Sequence, residues 1–533
     1  MSKKNENKNE TGYVSGMILE ICAFAALAVA VLGGASAAWA QPAGLVTAHG
    51  RQFALNGQAY RFVGVNLRGL SHYGQGAPLQ YTSVGDIDAN LDGVAAMGGK
   101  VVRLFAANKN RTTQQNIDSL RATLDKMKAR NLKALICLTD LYNTDFHPAG
   151  DDAYYMIQPG GWTLLDNTWF ASGYTVNYLP WVQAVVGQLK DHAAIFAWEI
   201  GNELTDIKTP LNIVPFTQNV AAAIKALDPW HMVGTGFIGI DHTQIGITQG
   251  VALYSDPNLD FISGHSYDGE DQFDNWSVYA RVEKPFVLGE YGWSEGNGSR
   301  VTNTQAQLAK WFDQRLAQGF LQWGYQVGAW DIGDGDNNFG VDRYAHSDYN
   351  EMVALYSSRA AALASGSQAL DPLGDPAGTN LALAAASVAT SSNYSASFGG
   401  AKAIDGVVSD SSKWTSAGTA PPHWLALDLG AAKGVTGFVL RMANAAGERV
   451  DYAFKTYKIE SGASMSGPWA IEFEGSNPAQ YAVMRHRFSA PKNLRYVRLT
   501  VTNAGIDNYA RLPEFEVIGG APARAATGWM VYE

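Results

Sequence analysis

At 533 residues the chain is too long for one ordinary domain, and its moderate charge, 17% Asp, Glu, Lys and Arg, with abundant Gly, Trp and Tyr is the composition of a folded soluble protein. A net charge of −10 offers no basic patch to neutralise phosphates and argues against nucleic acid as a partner. Fifteen tryptophans and 24 tyrosines suit sugar-stacking surfaces, although such residues also fill cores.

Lys3, Lys4 and Lys8 precede an apolar run, Ile21 to Leu32, that ends in small residues before Ala38-Trp39-Ala40. That order predicts a secretory signal peptide over residues 1–40, cleaved before Gln41, and an extracellular or periplasmic product. Glu6, Glu10 and Glu20 leave an uncleaved anchor open, but the apolar run is short for a spanning helix, and no stable membrane association is expected after cleavage. Cleavage removes Cys22 and leaves Cys137, in the strand-like KALICLTD, as a small core residue without a disulfide.

From Leu45 a small β-element comes first, turning at Asn56-Gly57. Eight short apolar stretches follow: RFVGVNLRG (61–69), VVRLFA (101–106), KALICLTD (133–140), IFAWEIGNE (195–203), MVGTGF (232–237), FISGHSY (261–267), PFVLGEYG (285–292) and GYQVGAWD (324–331). Helical patterns lie between them, clearest at 116–130, 179–190, 216–227 and 304–318. Apolar strands alternating with amphipathic helices imply parallel β/α units, and eight of them predict an eightfold β/α (TIM) barrel over residues 41–360. A doubly wound open sheet would need a Gly-rich loop after its first strand, and none is present. In a barrel the site forms where strands end, and two of these strands end in a glutamate, Glu203 and Glu290. Two carboxylates flanking one bond are what glycoside hydrolysis requires.

The segments VVRLF (Arg103), WEIGNEL (Asn202, Glu203), GHSY (His265, Tyr267), LGEYG (Glu290) and GAWD (Trp330) resemble glycoside hydrolase family 5, and the stretches around WEIGNEL and PFVLGEYGW are most similar to its endo-β-1,4-mannanases. Two departures stand out: LTDLYN replaces the Leu-His-Asn common in the cellulases after strand three, and Leu204 stands where a proline frequently follows Asn-Glu. The resemblance implies that Glu203 is the general acid/base and Glu290 the nucleophile. It groups Arg103, Asn202, His265, Tyr267 and Trp330 as the residues that bind and position the substrate. Arg103 would hold Glu290 ionised, Asn202 would donate to the sugar 2-hydroxyl, Tyr267 would orient Glu290 with His265 on the same wall, and Trp330 would stack on the sugar. No cofactor is needed for this hydrolysis. Tyr142, Trp162, Trp169, Tyr174 and Trp293 are candidates for further subsites. Asp140, His147, Asp151 and Asp152 match no metal-ligand spacing and read as solvated loop charge, and the cluster Asp331, Asp334, Asp336 and Asn337 lacks the final glutamate of a calcium loop.

Residues 361–379, rich in Ala, Gly, Ser, Asp and Pro, read as a linker. Short alternating strands from 380 to 519 predict an all-β domain, and 520–533 form a tail. KAIDGVVSDSSKW, HWLALDLG, RYVRLTV and LPEFEVIG resemble the discoidin, or factor V/VIII C-type, β-sandwich, a jelly roll that includes the family 32 carbohydrate-binding modules. That resemblance implies a structural calcium ion at Asp405 and Glu514, with Asp410 beside them. The expected protein is a secreted, monomeric retaining endo-β-1,4-glycanase acting on a polysaccharide, most simply a β-mannan or glucomannan. A β-1,4-glucanase, an exopolysaccharide-processing glycosidase and a carbohydrate-binding protein with an idle barrel are the alternatives.

Overall fold

Every residue of the first four parallel strands of the central sheet but Lys133 is buried, which is why those segments read as continuous apolar runs rather than alternating ones. In the computed structural model, which describes residues 42, 44–72, 84–158, 160–327, 338–366 and 369–520, these strands are β1 (Phe62–Asn66), β2 (Val101–Phe105), β3 (Lys133–Cys137) and β4 (Ile195–Glu199). They continue as β5 (Met232–Gly234), β6 (Ile262–Tyr267), β7 (Phe286–Gly292) and β8 (Gly319–Gln322). The ladder runs β5-β4-β3-β2-β1-β8-β7-β6, all parallel. Between β5 and β6 the Asp260 amide donates to Val233 O at 2.8 Å while its carboxylate accepts from the Val233 amide at 2.7 Å, which bridges the last gap of the barrel.

The expected helices form at Thr113–Ala129, Tyr178–Leu189, Ile213–Leu227 and Arg300–Ala309. The first is fixed by a capping box between Thr112 and Gln115. A hairpin, Val46–His49 with Gln52–Leu55, closes the N-terminal end of the barrel, where Phe53 packs on Phe196 and Phe261 at ring-centroid distances of 5.1 and 5.9 Å. The expected eighth strand is corrected. It is Gly319–Gln322, upstream of GYQVGAWD, and a turn at Gly324 (φ 70°) separates it from Tyr325–Gln326.

The last barrel helix, Tyr349–Ser365, runs past the boundary expected at 360, because the alanines there favour helix as readily as linker. The segment beyond it is pinned: the Asp371 amide donates to Gln52 Oε1 at 2.7 Å, and Asp375 pairs with both Arg441 and Arg485.

The C-terminal domain is antiparallel. Strands β9 (His423–Arg441), β10 (Thr456–Gly462), β11 (Trp469–Ser476), β12 (Val483–Asn503) and β13 (Glu514–Gly519) pair in the order β13-β9-β12-β10-β11. They enclose a core that includes Trp414, Phe438 and Phe515. This domain docks on the helix after β6, Phe273–Tyr279. Trp276 Nε1 donates to Ala479 O at 2.8 Å, the Tyr279 and Tyr481 hydroxyls meet at 2.7 Å, and Arg281 donates to Asn444 O and Glu448 O. Both domains fall in one compact unit. Among the described residues no helix is long and apolar enough to cross a membrane. The expected signal peptide, Trp330, the Asp331–Asn337 cluster and residues 521–533 lie outside the described residues.

Candidate active site

Arg103, in the middle of β2, is the centre of the site and is completely buried. Its Nε donates to Glu199 at 2.5 Å, Nη1 to Glu290 Oε1 at 2.6 Å and to Asn66 Oδ1 at 3.1 Å, and Nη2 to Asn202 Oδ1 at 3.0 Å. Burial opposes its charge, but the charges of Glu199 and Glu290 outweigh that and hold the guanidinium firmly protonated. It fixes one residue each from β1, β4, the turn after β4, and β7.

Glu290 reaches this position through a break in the ladder. Leu288 pairs with Phe320 and Tyr291 with Gln322, so Gly289 and Glu290 bulge out of register with β8. A bulge re-aims a side chain, here into the barrel mouth. The Tyr267 hydroxyl donates to Glu290 Oε2 at 2.6 Å. Glu203 sits on the turn after β4 with φ 56°, a left-handed conformation costly for a residue with a Cβ. Its amide donates to Gly236 O at 2.8 Å, and Gly236 itself has φ 73°. Tyr142 donates to Glu203 Oε2 at 2.7 Å, and His265 Nδ1 lies 2.6 Å from Glu203 Oε1 and 3.5 Å from Glu290 Oε2.

Burial raises the proton affinity of both glutamates. Their surroundings separate them. Glu290 touches the Arg103 guanidinium, whereas the groups on Glu203 are a phenol and an imidazole that burial pushes down to about 4, neutral at neutral pH. Glu290 therefore keeps the charge and Glu203 the proton. Glu203, His265 and Glu290 each offer an atom within 4.8 Å of the others. Oxygens this close fit the roughly 5–5.5 Å between carboxyl groups of retaining glycosidases better than the roughly 6.5–9.5 Å of inverting ones. Glu203, His265 and Glu290 also form a set that could ligate a metal, as do the more exposed Asp241, His242 and Glu270, but Arg103 already supplies the positive charge beside Glu290.

The cleft over these groups has a volume of about 750 Å³, and Asn202, Glu203, Tyr267 and Glu290 line it. Arg103 and His265 do not. Both are fully buried beneath the carboxylates, where Arg103 bonds Glu290 as the resemblance implies and His265 meets Glu203, so the two position the glutamates and do not line the cleft. The cleft also contains groups that the sequence reading assigned no role. Trp323, which follows β8 directly, lines it together with Arg68 and Phe339. Placing the eighth strand one turn earlier would have found Trp323.

Asp140 is not solvated loop charge. It is 2% exposed, accepts from Asn202 Nδ2 at 3.0 Å and Thr144 Oγ1 at 2.8 Å, and burial pushes it up to about 6. Arg103 on one side and Asp140 on the other leave the Asn202 amide a single orientation. His147 and Asp151 are buried too: the His147 ring lies 4.7 Å from that of Tyr155, and Asp151 accepts from Trp169 Nε1 and Asn177 Nδ2, each at 3.2 Å. Of the five candidate subsite aromatics, Tyr142 and Trp162 line the cleft, while Trp169 and Tyr174 are core. Cys137 is a buried free thiol, as expected, and burial raises its pKa well above the ordinary range.

In the C-terminal domain Glu514 is buried and accepts from Asn380 Nδ2 at 3.3 Å and from the Gly406 amide at 3.2 Å. Burial and the neighbouring Asp405 charge raise it to about 7. Asp405 accepts from Ser412 Oγ and the Val407 amide, while Asp410 turns away to Lys413. Lys402 Nζ also lies 3.7 Å from Asp405, and the buried Glu514 carboxylate with this second one beside it offers the oxygen ligands a hard cation takes.

The F5/8 type C domain family matches residues 387–515. The probable mannan endo-1,4-beta-mannosidase F of Emericella nidulans is 25% identical over 360 residues, covering 59% of this chain and 79% of that protein. Mannan endo-1,4-beta-mannosidase A of Hypocrea jecorina is 26% identical over 329 residues, covering 53% and 65%. The crystal structure of the endo-1,4-beta-mannanase from Rhizomucor miehei superposes with a TM-score of 0.48 at 16% identity, covering 60% of this chain and 99% of that one. The chain is thus similar to mannan endo-1,4-beta-mannosidases over 53–59% of its length and carries an F5/8 type C domain match at residues 387–515.

Proposed function

We propose that the protein is a retaining endo-β-1,4-mannanase that cleaves β-mannan or glucomannan at Glu290 and Glu203. The pairing of these two carboxylates carries the reading: an oxygen of Glu203 lies within 4.8 Å of one of Glu290, which suits attack by one and proton delivery by the other at a single glycosidic bond. Glu290 attacks the anomeric carbon while Glu203 gives its proton to the departing glycosidic oxygen. The resulting ester removes the charge of Glu290, which lowers the proton affinity of Glu203 and leaves it a carboxylate. Glu203 then takes a proton from the water that opens the ester, and the configuration is retained. Asn202, held by Arg103 and Asp140, keeps one N–H for the sugar 2-hydroxyl, and Trp323 and Phe339 give the cleft apolar faces.

Mannan as the substrate is supported by the names of the sequence relatives. The predicted leader supports export. The C-terminal domain acts as a carbohydrate-binding module, and its docking on the barrel holds any polymer it binds near the cleft at a high effective concentration. Asp405 and Glu514 hold a structural calcium ion there.

Reducing-sugar release from galactomannan, glucomannan, carboxymethylcellulose, xylan and mixed-linkage glucan, run beside Glu290→Ala, tests the reading. Activity on mannans that disappears in the variant is the expected result. Activity confined to glucans discards the substrate, and activity that survives Glu290→Ala discards the mechanism.

A further inference from the structure

At the junction between the N-terminal end of the barrel and the C-terminal domain lies a second cavity, of about 520 Å³. It is far from neutral. Arg51 and Arg61 line it from the barrel, Arg485 and Arg487 from the β-sandwich, and Glu283 and Asp371 are the carboxylates on its wall. This concentration of guanidinium occurs in a chain whose net charge is −10.

Arg485 is spoken for, bound to Glu283 at 2.6 Å and to Asp375 at 2.6 Å. The other three are not neutralised in this way. Arg51 stacks over the Tyr481 ring at 4.1 Å, and its carboxylate contact is Glu283 at 4.0 Å, an oxygen already taken by Arg485. Arg61 donates to Phe312 O and Ala317 O, and Arg487 to Leu373 O and Gly374 O, all neutral carbonyls. Buried N–H groups on each of the three have no acceptor: Nε and Nη2 of Arg51, Nε of Arg61 and Nη1 of Arg487. Positive charges brought together across a domain boundary repel and carry a desolvation cost unless an anion joins them.

We infer that Arg51, Arg61 and Arg487 form a binding site for an oxyanion that bridges the two domains, its ligand either a free sulfate or phosphate ion or the carboxylate of an acidic sugar. The planar guanidinium fork suits a carboxylate, sulfate or phosphate group, and the cavity is large enough for one sugar ring. The site is remote from the cleft, since Arg61 precedes β1 whereas the catalytic groups follow the strands' other ends. It therefore acts on domain docking and polymer attachment and does not touch the hydrolytic step.

The test is isothermal titration and thermal melting of the full-length protein with sodium sulfate, sodium phosphate, and glucuronate, against sodium chloride at matched ionic strength and neutral glucose. Arg51→Gln, Arg487→Gln and Arg487→Lys are measured alongside. The expected result is a saturable rise in Tm with an oxyanion, an affinity about tenfold weaker in each Gln variant, and partial retention in Arg487→Lys. A response to sulfate or phosphate assigns the site to inorganic anions, and a response to glucuronate alone assigns it to acidic saccharides. Wild-type protein that responds to neither beyond chloride overturns the proposal, as does unchanged affinity in both Gln variants. If a Gln variant fails to fold, the wild-type titration and Arg487→Lys still decide.

Discussion

Replacing Tyr142 by Phe removes one hydrogen bond and nothing else that touches the acid/base. The Tyr142 hydroxyl is 2.7 Å from Glu203 Oε2, and only 11% of the Glu203 side chain is exposed, so solvent screens little of the loss. A hydrogen bond to a charged acceptor contributes about 1.5–3 kcal/mol against about 1 kcal/mol for a neutral one, so the bond favours the carboxylate over the acid by about 1.4 kcal/mol, or about tenfold. Tyr142 therefore works against the burial that keeps Glu203 protonated. Glycosylation uses the protonated form and fails as pH rises through the Glu203 titration. In Tyr142→Phe the carboxylate is less stabilised, Glu203 holds its proton to higher pH, and the falling limb of kcat/KM moves alkaline. On that limb the variant should retain about ten times more of its plateau kcat/KM than wild type. The second step needs the carboxylate as base, so kcat at neutral pH should fall. The assay is the pH profile of kcat/KM and kcat on a soluble manno-oligosaccharide. A second substrate, with a leaving group acidic enough to depart unprotonated, serves as the control, and on it the alkaline gain should vanish. An unmoved limb, or one displaced toward acid, would refute the reasoning.

Three further outcomes follow from other parts of the structure. In Gly236→Ala the new Cβ would meet Gly201 O at 2.2 Å and strain a φ of 73°; strain of about 1–2 kcal/mol and displacement of the turn carrying Glu203 should cut kcat while circular dichroism still reports a folded barrel. Trp276→Ala empties the domain junction and frees Ala479 O, so a loss of about 3–5 kcal/mol is expected, and calorimetry should resolve two transitions where wild type shows one. Glu514 is raised in the folded domain to about 7 from an ordinary 4.5, so the folded state binds the extra proton and stability is lost as pH rises between those values. Calcium should reverse that loss by favouring the carboxylate, and Glu514→Gln should abolish both the pH dependence and the calcium response in Tm.

The strand and helix pattern of the barrel was legible because burial on both faces imposes continuous apolar runs on its strands, and seven of the eight expected strands overlap β1–β7. The two glutamates were legible for a related reason, as a charge ending an apolar strand has few structural uses. What sequence could not supply were relations across the barrel. Glu199 and Asn66 look like isolated polar residues in apolar strands until Arg103 bonds them to Glu290 and Asn202. Asp140 reads as loop charge because its burial and its bond from Asn202, far along the chain, exist only in the folded barrel mouth. Strand eight was misplaced because LQW abuts a helix and GYQVGAWD carries the more strand-like residues, and hydrogen bonding of Phe320 to its neighbours on β1 and β7 decided the register. The docking of the two domains, and with it the arginine-lined cavity between them, was written in neither domain's pattern. Periodicity reports which face of an element is buried, whereas partners far apart in sequence are chosen by packing and charge in three dimensions.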